Sequence, residues 1–259
     1  MPAGRAALPL SAVNQAPAEP LFRRLALTLA PVLRLLTKQD WRGGENIPRE
    51  GGVIIVANHV SDFDPVALAH FLIWHGRWPR ALGKSDIWKV PVLGALATGL
   101  GQIPVERNSV RAKDSLDKAA EALERGECVV IYPEGTITAD PDTWPMTAKP
   151  GAARLAFRTG APVVPVGQWG ANYVMPGKKP TWPRLVPRKT MMMQAGPPIA
   201  LADLAEVADS PTAVAEAGVR IMDTLTAIVA ELRGIPAPAE RYDIRRGRRL
   251  PRDWAREVN

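Results

Sequence analysis

Short runs of apolar residues, without the polar alternation of a half-exposed strand, mark the strands predicted for this chain of 259 residues. Uninterrupted apolar runs are typical of strands that are covered on both faces, as in a parallel sheet. The clearest runs cover residues 53–57, 128–132 and 163–166. We therefore predict three buried parallel strands at these positions.

Helical patterns separate these strands. Apolar spacings of three and four, with glycine after three of the segments, predict helices over residues 65–74, 109–125 and 151–158 and a late helix through Ile221, Leu225, Ile228 and Leu232. Strands that alternate with helices predict an α/β fold with a mostly parallel central sheet flanked by helices. Ligands of such sheets bind beyond the carboxyl ends of the strands.

The N-terminal region divides into two parts. Residues 1–20 are rich in proline and alanine and lack the continuous apolar core of a secretory signal, so we predict a flexible leader. Residues 21–40 form an amphipathic, basic segment, which Pro31 should split into two short helices because proline lacks a backbone N–H. Such helices either pack on the core or lie in a membrane interface. No segment approaches the ~20 apolar residues of a transmembrane helix.

Charge is concentrated at the other end of the chain. The formal net charge is +7, and residues 241–259 contain seven arginines against three acidic residues. We predict a main domain over residues 41–235 followed by a basic tail, residues 236–259, which would attract either nucleic acid or an anionic membrane surface, or act as a solvated end. The single cysteine, Cys128, lies in an apolar run and favours a reducing compartment.

The stretch ANHVSDFDP contains the first candidate chemistry. His59 follows the predicted strand directly, and Asp64 precedes a proline that would begin a helix, where an aspartate is typical as an N-cap. Across a strand-to-helix turn this cap carboxylate can also fold back onto the imidazole, fix its tautomer and leave the other ring nitrogen as a base. The spacing alone is weak evidence. His70 and His75 lie inside the predicted helix without metal-ligand spacing.

Further motifs follow in order along the chain. Gly101 precedes Arg107 by six residues, and Glu134-Gly135-Thr136 comes straight after a predicted buried strand. With these motifs the sequence resembles the glycerolipid acyltransferase family, which includes lysophosphatidic acid and glycerol-3-phosphate acyltransferases. The resemblance covers residues 41–166 and rests on Asn58, His59, Asp64, Lys84, Gly101, Arg107, Pro133, Glu134, Gly135, Thr136, Lys149, Gly151, Pro162 and Pro165.

The resemblance implies a role for each motif. His59 is expected to be the general base and Asp64 its orienting partner, while Arg107 and the Glu134-Gly135-Thr136 loop are expected to hold the phosphate of the acceptor. The other residues assigned to substrate binding are Lys84, Gly101 and Lys149. An acyl thioester is already activated, so a His/Asp pair suffices without a serine nucleophile. The chain also lacks a G-x-S-x-G elbow.

One position departs from the family pattern. Ile137 stands where the family usually has arginine, so phosphate binding should rely more on Arg107, with Lys149 or Arg154 supplying the missing charge. The expected acceptor is 1-acylglycerol 3-phosphate, giving phosphatidate; glycerol 3-phosphate and a phosphoinositol mannoside are the alternatives. A non-catalytic membrane- or nucleic-acid-binding protein is the second hypothesis, favoured by the basic tail and disfavoured by the intact His59/Asp64 pair.

The resemblance also implies partners and a location. We expect acyl-CoA or acyl carrier protein as the co-substrate, no metal or other cofactor, a lysophospholipid or phosphoglycerol acceptor, an anionic membrane surface and no nucleic acid. The protein would then be peripheral, on the cytoplasmic face of the cell membrane, with residues 21–38 and the basic tail as interfacial contacts. Residues 90–101, which mix small and aliphatic side chains, either line an acyl-chain groove or pack in the core.

Overall fold

The computed structural model describes residues 5–106, 112–177 and 181–254 of the chain. Within them, a seven-stranded sheet lies at the centre, in the order β1 (Thr37–Arg42), β7 (Lys189–Ala195), β6 (Val163–Trp169), β2 (Val53–Ala57), β5 (Cys128–Ile131), β3 (Pro79–Lys84) and β4 (Ile103–Val105). Neighbouring strands are parallel except β6 and β7, which are antiparallel. The predicted α/β fold with a mostly parallel sheet is confirmed.

Helices cover both faces of this sheet. They are α1 (Leu10–Val13), α2 (Pro20–Leu36), α3 (Asp64–Trp74), α4 (Pro91–Gly99), α5 (Ala112–Glu124), α6 (Gly151–Thr159), α7 (Ala171–Val174) and α8 (Pro211–Arg233). In β2, Val53, Ile55 and Ala57 face the core beneath α1, α2 and α3. Ile54 and Val56 face the opposite core, beneath α5, α6 and α8. Because successive side chains of a strand point to opposite faces, burial on both sides explains why the run contains no polar residue.

The predicted strands and helices lie within a few residues of the observed ones, except that the predicted start of one helix, residues 109–111, lies outside the described residues. Gly160 and Gly234, which were expected to end helices, have φ values of 64° and 65° and close α6 and α8 in the left-handed conformation that glycine adopts without strain. Sequence reasoning missed β1, β3, β4, β7 and the hairpin formed by β8 (Glu240–Asp243) and β9 (Arg248–Pro251). Most of these strands carry polar, partly exposed residues and therefore lack an apolar signal.

The expected break at Pro31 is wrong. Helix α2 is continuous from Pro20 to Leu36, with Pro31 inside it. The carbonyl that loses its helical donor belongs to Leu27, and Leu27 is 53% exposed, so water can take the donor's place. Among the described helices, none is long and apolar enough to cross a bilayer.

The predicted leader is packed where the structure describes it. Leu10 and Val13 are buried in the core, and the Asn14 side chain donates a hydrogen bond to the Ile73 carbonyl at 3.0 Å. The Trp78 indole N–H donates to the Ala16 carbonyl at 3.1 Å. Residues 5–19 therefore cover the end of α3 instead of extending freely from the domain.

The predicted basic tail is also folded over its described part. Arg241 is buried and pairs with Asp223 at 2.8 Å. Arg249 pairs with Asp140 at 2.8 Å and with Asp142 at 2.7 Å. The tail was expected to be an exposed polycation, but ion pairs with the domain neutralise part of its charge, because the two strands of the hairpin dock on acidic side chains.

Candidate active site

His59 lies in the turn between β2 and α3, at the carboxyl end of the sheet. Its Nδ1 lies 2.8 Å from Oδ2 of Asp64, and the imidazole is 15% exposed whereas the aspartate side chain is fully buried. The same Oδ2 accepts hydrogen bonds from the backbone N–H groups of Val60, at 2.6 Å, and Ser61, at 2.8 Å. Three donors therefore fix the position of this carboxylate.

The expectation that Asp64 caps α3 is wrong. The helix begins at Asp64 itself, and no side chain makes a capping bond at its N-terminus. The carboxylate folds back onto the turn and the imidazole, as predicted, but without capping the helix. Because Oδ2 accepts the proton of Nδ1, Nε2 is the ring nitrogen that is left with a lone pair. Burial raises the pKa of Asp64, and the hydrogen bond from His59 and those from the backbone oppose that rise.

Glu134 holds the backbone of the histidine. Its Oε1 accepts from the His59 N–H at 2.9 Å, and its Oε2 accepts from the Met146 N–H at 2.9 Å. On the other side, the Thr138 N–H donates to the His59 carbonyl at 2.8 Å. Burial raises the pKa of Glu134 to about 8, against the lowering effect of its two backbone donors. Both oxygens are engaged with the backbone, so this carboxyl group positions His59.

Two further residues support the site, and sequence reasoning missed them. The ring of Tyr132, at the end of β5, stacks on His59 with 4.3 Å between ring centroids. Gln168, in β6, exchanges three hydrogen bonds of 2.7–3.0 Å with Asn58. A polar residue inside an otherwise apolar strand was the available signal for Gln168. These contacts tie together the carboxyl ends of β2, β5 and β6, where ligands were expected.

The residues predicted to bind substrate have different surroundings. Gly135 has a φ of 68°, and a Cβ there would come within 2.9 Å of the Lys149 side chain, so the two residues are in close contact. Gly101 has a φ of 63° and packs on the Arg80 guanidinium, where a Cβ would clash. Lys84 is exposed and pairs with Asp86. Thr136 is half-buried.

The structure therefore brings Glu134, Gly135 and Lys149 to the vicinity of His59. The contacts of Gly101 and Lys84 serve a turn and a surface ion pair. Arg107, predicted to bind phosphate, lies outside the described residues. Its assignment stays a prediction.

Two cavities flank the site. A groove of about 380 Å³ with an almost entirely apolar lining runs between α2, α3 and α4, and Tyr132 is one of its lining residues. A second cavity of about 770 Å³ is lined by Glu134, Lys149 and several arginines. The histidine is thus linked to an apolar groove through Tyr132 and to a basic cavity through Glu134.

Known proteins share this arrangement of sequence and fold. The model of the family described as Acyltransferase matches residues 39–169. The chain is 33% identical over 141 residues to the chloroplastic 1-acyl-sn-glycerol-3-phosphate acyltransferase BAT2 of Brassica napus, covering 54% of this chain and 39% of that protein. It is 29% identical over 155 residues to the 1-acyl-sn-glycerol-3-phosphate acyltransferase of Borreliella burgdorferi, covering 58% of this chain and 56% of that one.

A solved structure has the same fold. The crystal structure of the LPA acyltransferase PlsC from Thermotoga maritima superimposes with a TM-score of 0.63 at 22% identity, over 84% of this chain and 81% of that one. The matched part of the chain spans 39% and 56% of the lengths of the two curated relatives. The match of the family model includes His59, Asp64 and Glu134.

Proposed function

This chain belongs to the Acyltransferase family, and from that premise we propose that it transfers a fatty acyl group from an acyl thioester to the free hydroxyl of 1-acylglycerol 3-phosphate. The product is phosphatidate. One observation carries the proposal: a buried carboxylate fixes Nδ1 of His59 at 2.8 Å and leaves Nε2 as the basic nitrogen. The names of the relatives from Brassica napus and Borreliella burgdorferi support the choice of acceptor.

The proposed reaction needs one base and no enzyme nucleophile. Nε2 of His59 takes the hydroxyl proton while the acceptor oxygen attacks the thioester carbonyl carbon. The C–O bond forms, the C–S bond breaks, and the imidazolium returns its proton to the departing thiolate. The charge of Asp64 stabilises the imidazolium while it exists. Glu134 keeps the His59 backbone in place during both proton transfers.

The apolar groove is the proposed site of the acyl chain. Leu93, Leu96, Ala97 and Leu100, from the segment predicted to line a groove or pack in the core, contribute to its wall. Tyr132 lines the groove and stacks on His59, so we propose that a chain in the groove has its carbonyl near this histidine. Apolar lining suits the chain because burial of each methylene contributes about 0.8 kcal/mol.

The outer surface beside this groove is the proposed membrane contact. Large apolar side chains are exposed on α2 and on and before α4, with Leu35 at 71% and Val92 at 78% exposure. Exposed Arg23 and Arg24 flank the apolar positions of α2. An amphipathic helix with a basic polar face binds an anionic lipid surface. Peripheral attachment to the cytoplasmic face of the membrane would bring the lipid acceptor to the groove.

Phosphate recognition differs from the usual family pattern in this chain. Ile137, at the position of the usual arginine, is buried at 6% exposure. This position of the turn therefore supplies no charge to the acceptor phosphate. Cationic groups elsewhere must bind the acceptor phosphate. Arg107, Lys149 and Arg154 are the proposed sources of that charge.

Mass spectrometry of lipid products tests the proposal. The full chain is incubated with labelled acyl-CoA or acyl carrier protein and with glycerol 3-phosphate, both lysophosphatidate isomers or a phosphoinositol mannoside. We expect phosphatidate from 1-acylglycerol 3-phosphate and none from the His59→Ala variant. If product forms from the phosphoinositol mannoside alone, the mannoside is the acceptor and 1-acylglycerol 3-phosphate is not. The absence of product from every pair would favour the non-catalytic hypothesis.

A further inference from the structure

The larger cavity has an unusual concentration of positive charge. Its wall is formed by α6, the first half of α8 and the β8–β9 hairpin, and its volume is about 770 Å³. Six cationic side chains line it, against Glu134, Asp209 and Asp243: they are Lys149, Arg154, Arg158, Arg241, Arg245 and Arg252. Three of the six come from the hairpin region, which lies beyond the residues matched by the family model.

The hairpin is bonded to the segment that supports the catalytic loop. The Thr147 N–H donates to the Tyr242 carbonyl at 3.0 Å, and the Thr147 hydroxyl donates to Asp243 at 3.2 Å. The neighbouring Met146 N–H donates to Glu134, whose other oxygen holds the His59 N–H. The basic cavity therefore begins directly behind the loop that positions the base.

Two arginines that line the cavity, Arg241 and Arg252, both pair with Asp223 and each leave one buried nitrogen without an acceptor in the part of the chain that the structure describes. Arg241 is 3% exposed at its side chain and pairs with Asp223 through one nitrogen, but its Nε has no partner among the described residues. The buried Nε of Arg252 likewise has no hydrogen-bond partner among the described residues. Helix α6 begins beside Lys149 and Pro150 of this wall, with no capping side chain and no acidic residue in its first turn, so the positive end of its dipole lies next to the cavity.

These observations point to a ligand with several anionic oxygens. We propose that the cavity binds phosphate groups, and specifically those at the nucleotide end of an acyl-CoA donor. This inference rests on the proposed acyl transfer. Ligand cavities of about 300–1,000 Å³ enclose molecules of drug size, so this one has room for more than a single phosphate. Arginine binds phosphate oxygens in pairs through its planar fork.

The proposal also gives the donor an orientation. The acyl chain would lie in the apolar groove that Tyr132 helps to line, and the phosphates would lie in the cavity that Glu134 helps to line. Both residues contact His59, by ring stacking and by a backbone hydrogen bond respectively. The thioester of a molecule that occupies both cavities would therefore lie beside the histidine.

Calorimetric titration of the full chain separates the two sources of phosphate. The ligands are coenzyme A, which carries no acyl group and does not react, and glycerol 3-phosphate, the head group of the acceptor. The test variants are Arg245→Glu in the hairpin and Arg154→Ala in α6; both residues are exposed and line the cavity. The matched control is Arg248→Glu, which makes the same charge change at an exposed hairpin residue outside the lining.

We expect coenzyme A to bind the wild type and to bind Arg245→Glu and Arg154→Ala roughly tenfold or more weakly, since a charge-assisted bond is lost in each. Arg248→Glu should change the affinity less than about twofold, because an exposed charge away from the ligand is screened. Glycerol 3-phosphate should bind Arg245→Glu as it binds the wild type, whereas Arg154→Ala removes a proposed acceptor-phosphate contact and should weaken both ligands. Circular dichroism checks the fold of each variant.

Three results would overturn the proposal: no binding of coenzyme A to the wild type, equal losses in Arg245→Glu and Arg248→Glu, or a loss confined to glycerol 3-phosphate. Binding does not require turnover, so the pattern can hold even where no acyl transfer is found, and then the proposed function alone fails. Conversely, transfer by Arg245→Glu with an unchanged KM for acyl-CoA would refute the cavity assignment alone.

Discussion

His59 and the pair formed by His70 and His75 lie within 17 residues of one another and occupy opposite environments. His59 faces a carboxylate at 2.8 Å. His70 packs edge-on against Trp41 and Trp74, with 4.8 Å between ring centroids in each case. Burial lowers the pKa of both His70 and His75 to about 4, and the charge of Arg34 is a smaller cause of the lowering at His70.

The comparison shows that surroundings, and not residue type, decide what a histidine does. A carboxylate lies against the His59 ring and would stabilise its protonated form, which the proposed general base must reach. An apolar aromatic cluster opposes protonation of His70 and His75, so these two rings contribute packing. Four substitutions test this contrast, in order of decreasing expected effect.

His59→Ala should have the largest effect. Removal of the base is expected to lower turnover by about 10²–10⁴-fold while the fold stays intact. The matched control is His75→Gln, which should retain transfer within a few-fold but unfold more easily, because His75 is a buried core residue. Turnover is measured from lipid product and stability from urea denaturation. Near-normal transfer by a folded His59→Ala variant would show that His59, like His70 and His75, is not needed as a base.

Asp64→Asn should lower turnover by roughly 10²-fold, near the lower end of general-base effects. The amide oxygen can still accept from the Val60 and Ser61 N–H groups, but the charge that stabilises the imidazolium is lost. The rate of product formation across pH checks this expectation. A variant with wild-type turnover would show that the buried carboxylate has only a structural role.

Glu134→Gln tests the support behind His59. Both carboxyl oxygens accept backbone N–H groups, so one of these donors would face the amide NH₂ of glutamine. We expect a loss of about 1–3 kcal/mol in unfolding free energy. Turnover should fall about tenfold, since the base is displaced from its productive geometry. An unchanged kcat together with reduced stability would show that Glu134 stabilises the fold but does not position the proposed base.

His70→Leu should remove part of the acid sensitivity of the fold. Between pH 6.5 and 4 the unfolded chain protonates this histidine and the folded chain does not, so the unfolded state binds more protons and stability falls as pH falls. At pH 5 the protonation of His70 in the unfolded chain lowers the free energy of unfolding by about 2 kcal/mol. The variant should not show this loss. Urea denaturation of wild type and variant at pH 7 and pH 5 measures the difference. Parallel losses in both proteins would contradict the assigned pKa.

The sequence predicted some elements well because their signals are local. The strand at Val53–Ala57 is apolar throughout, and both faces of it are covered, so its position was clear. The expected fold-back of Asp64 onto His59 involves a five-residue separation and was therefore open to inference. The break at Pro31 and the cap at Asp64 were equally local expectations, but exposure of Leu27 and the backbone donors of the turn decided against them.

Neighbouring residues encode the alternation of strands and helices, the order of the motifs and the His59/Asp64 pair, so these features were open to prediction from local patterns. The tertiary structure alone decided which partners surround them. Glu134 holds a backbone group 75 residues away, Gln168 binds Asn58 across 110 residues, and the hairpin closes the basic cavity against Thr147. Such contacts exist only after the sheet has brought distant segments together, and no local pattern encodes them.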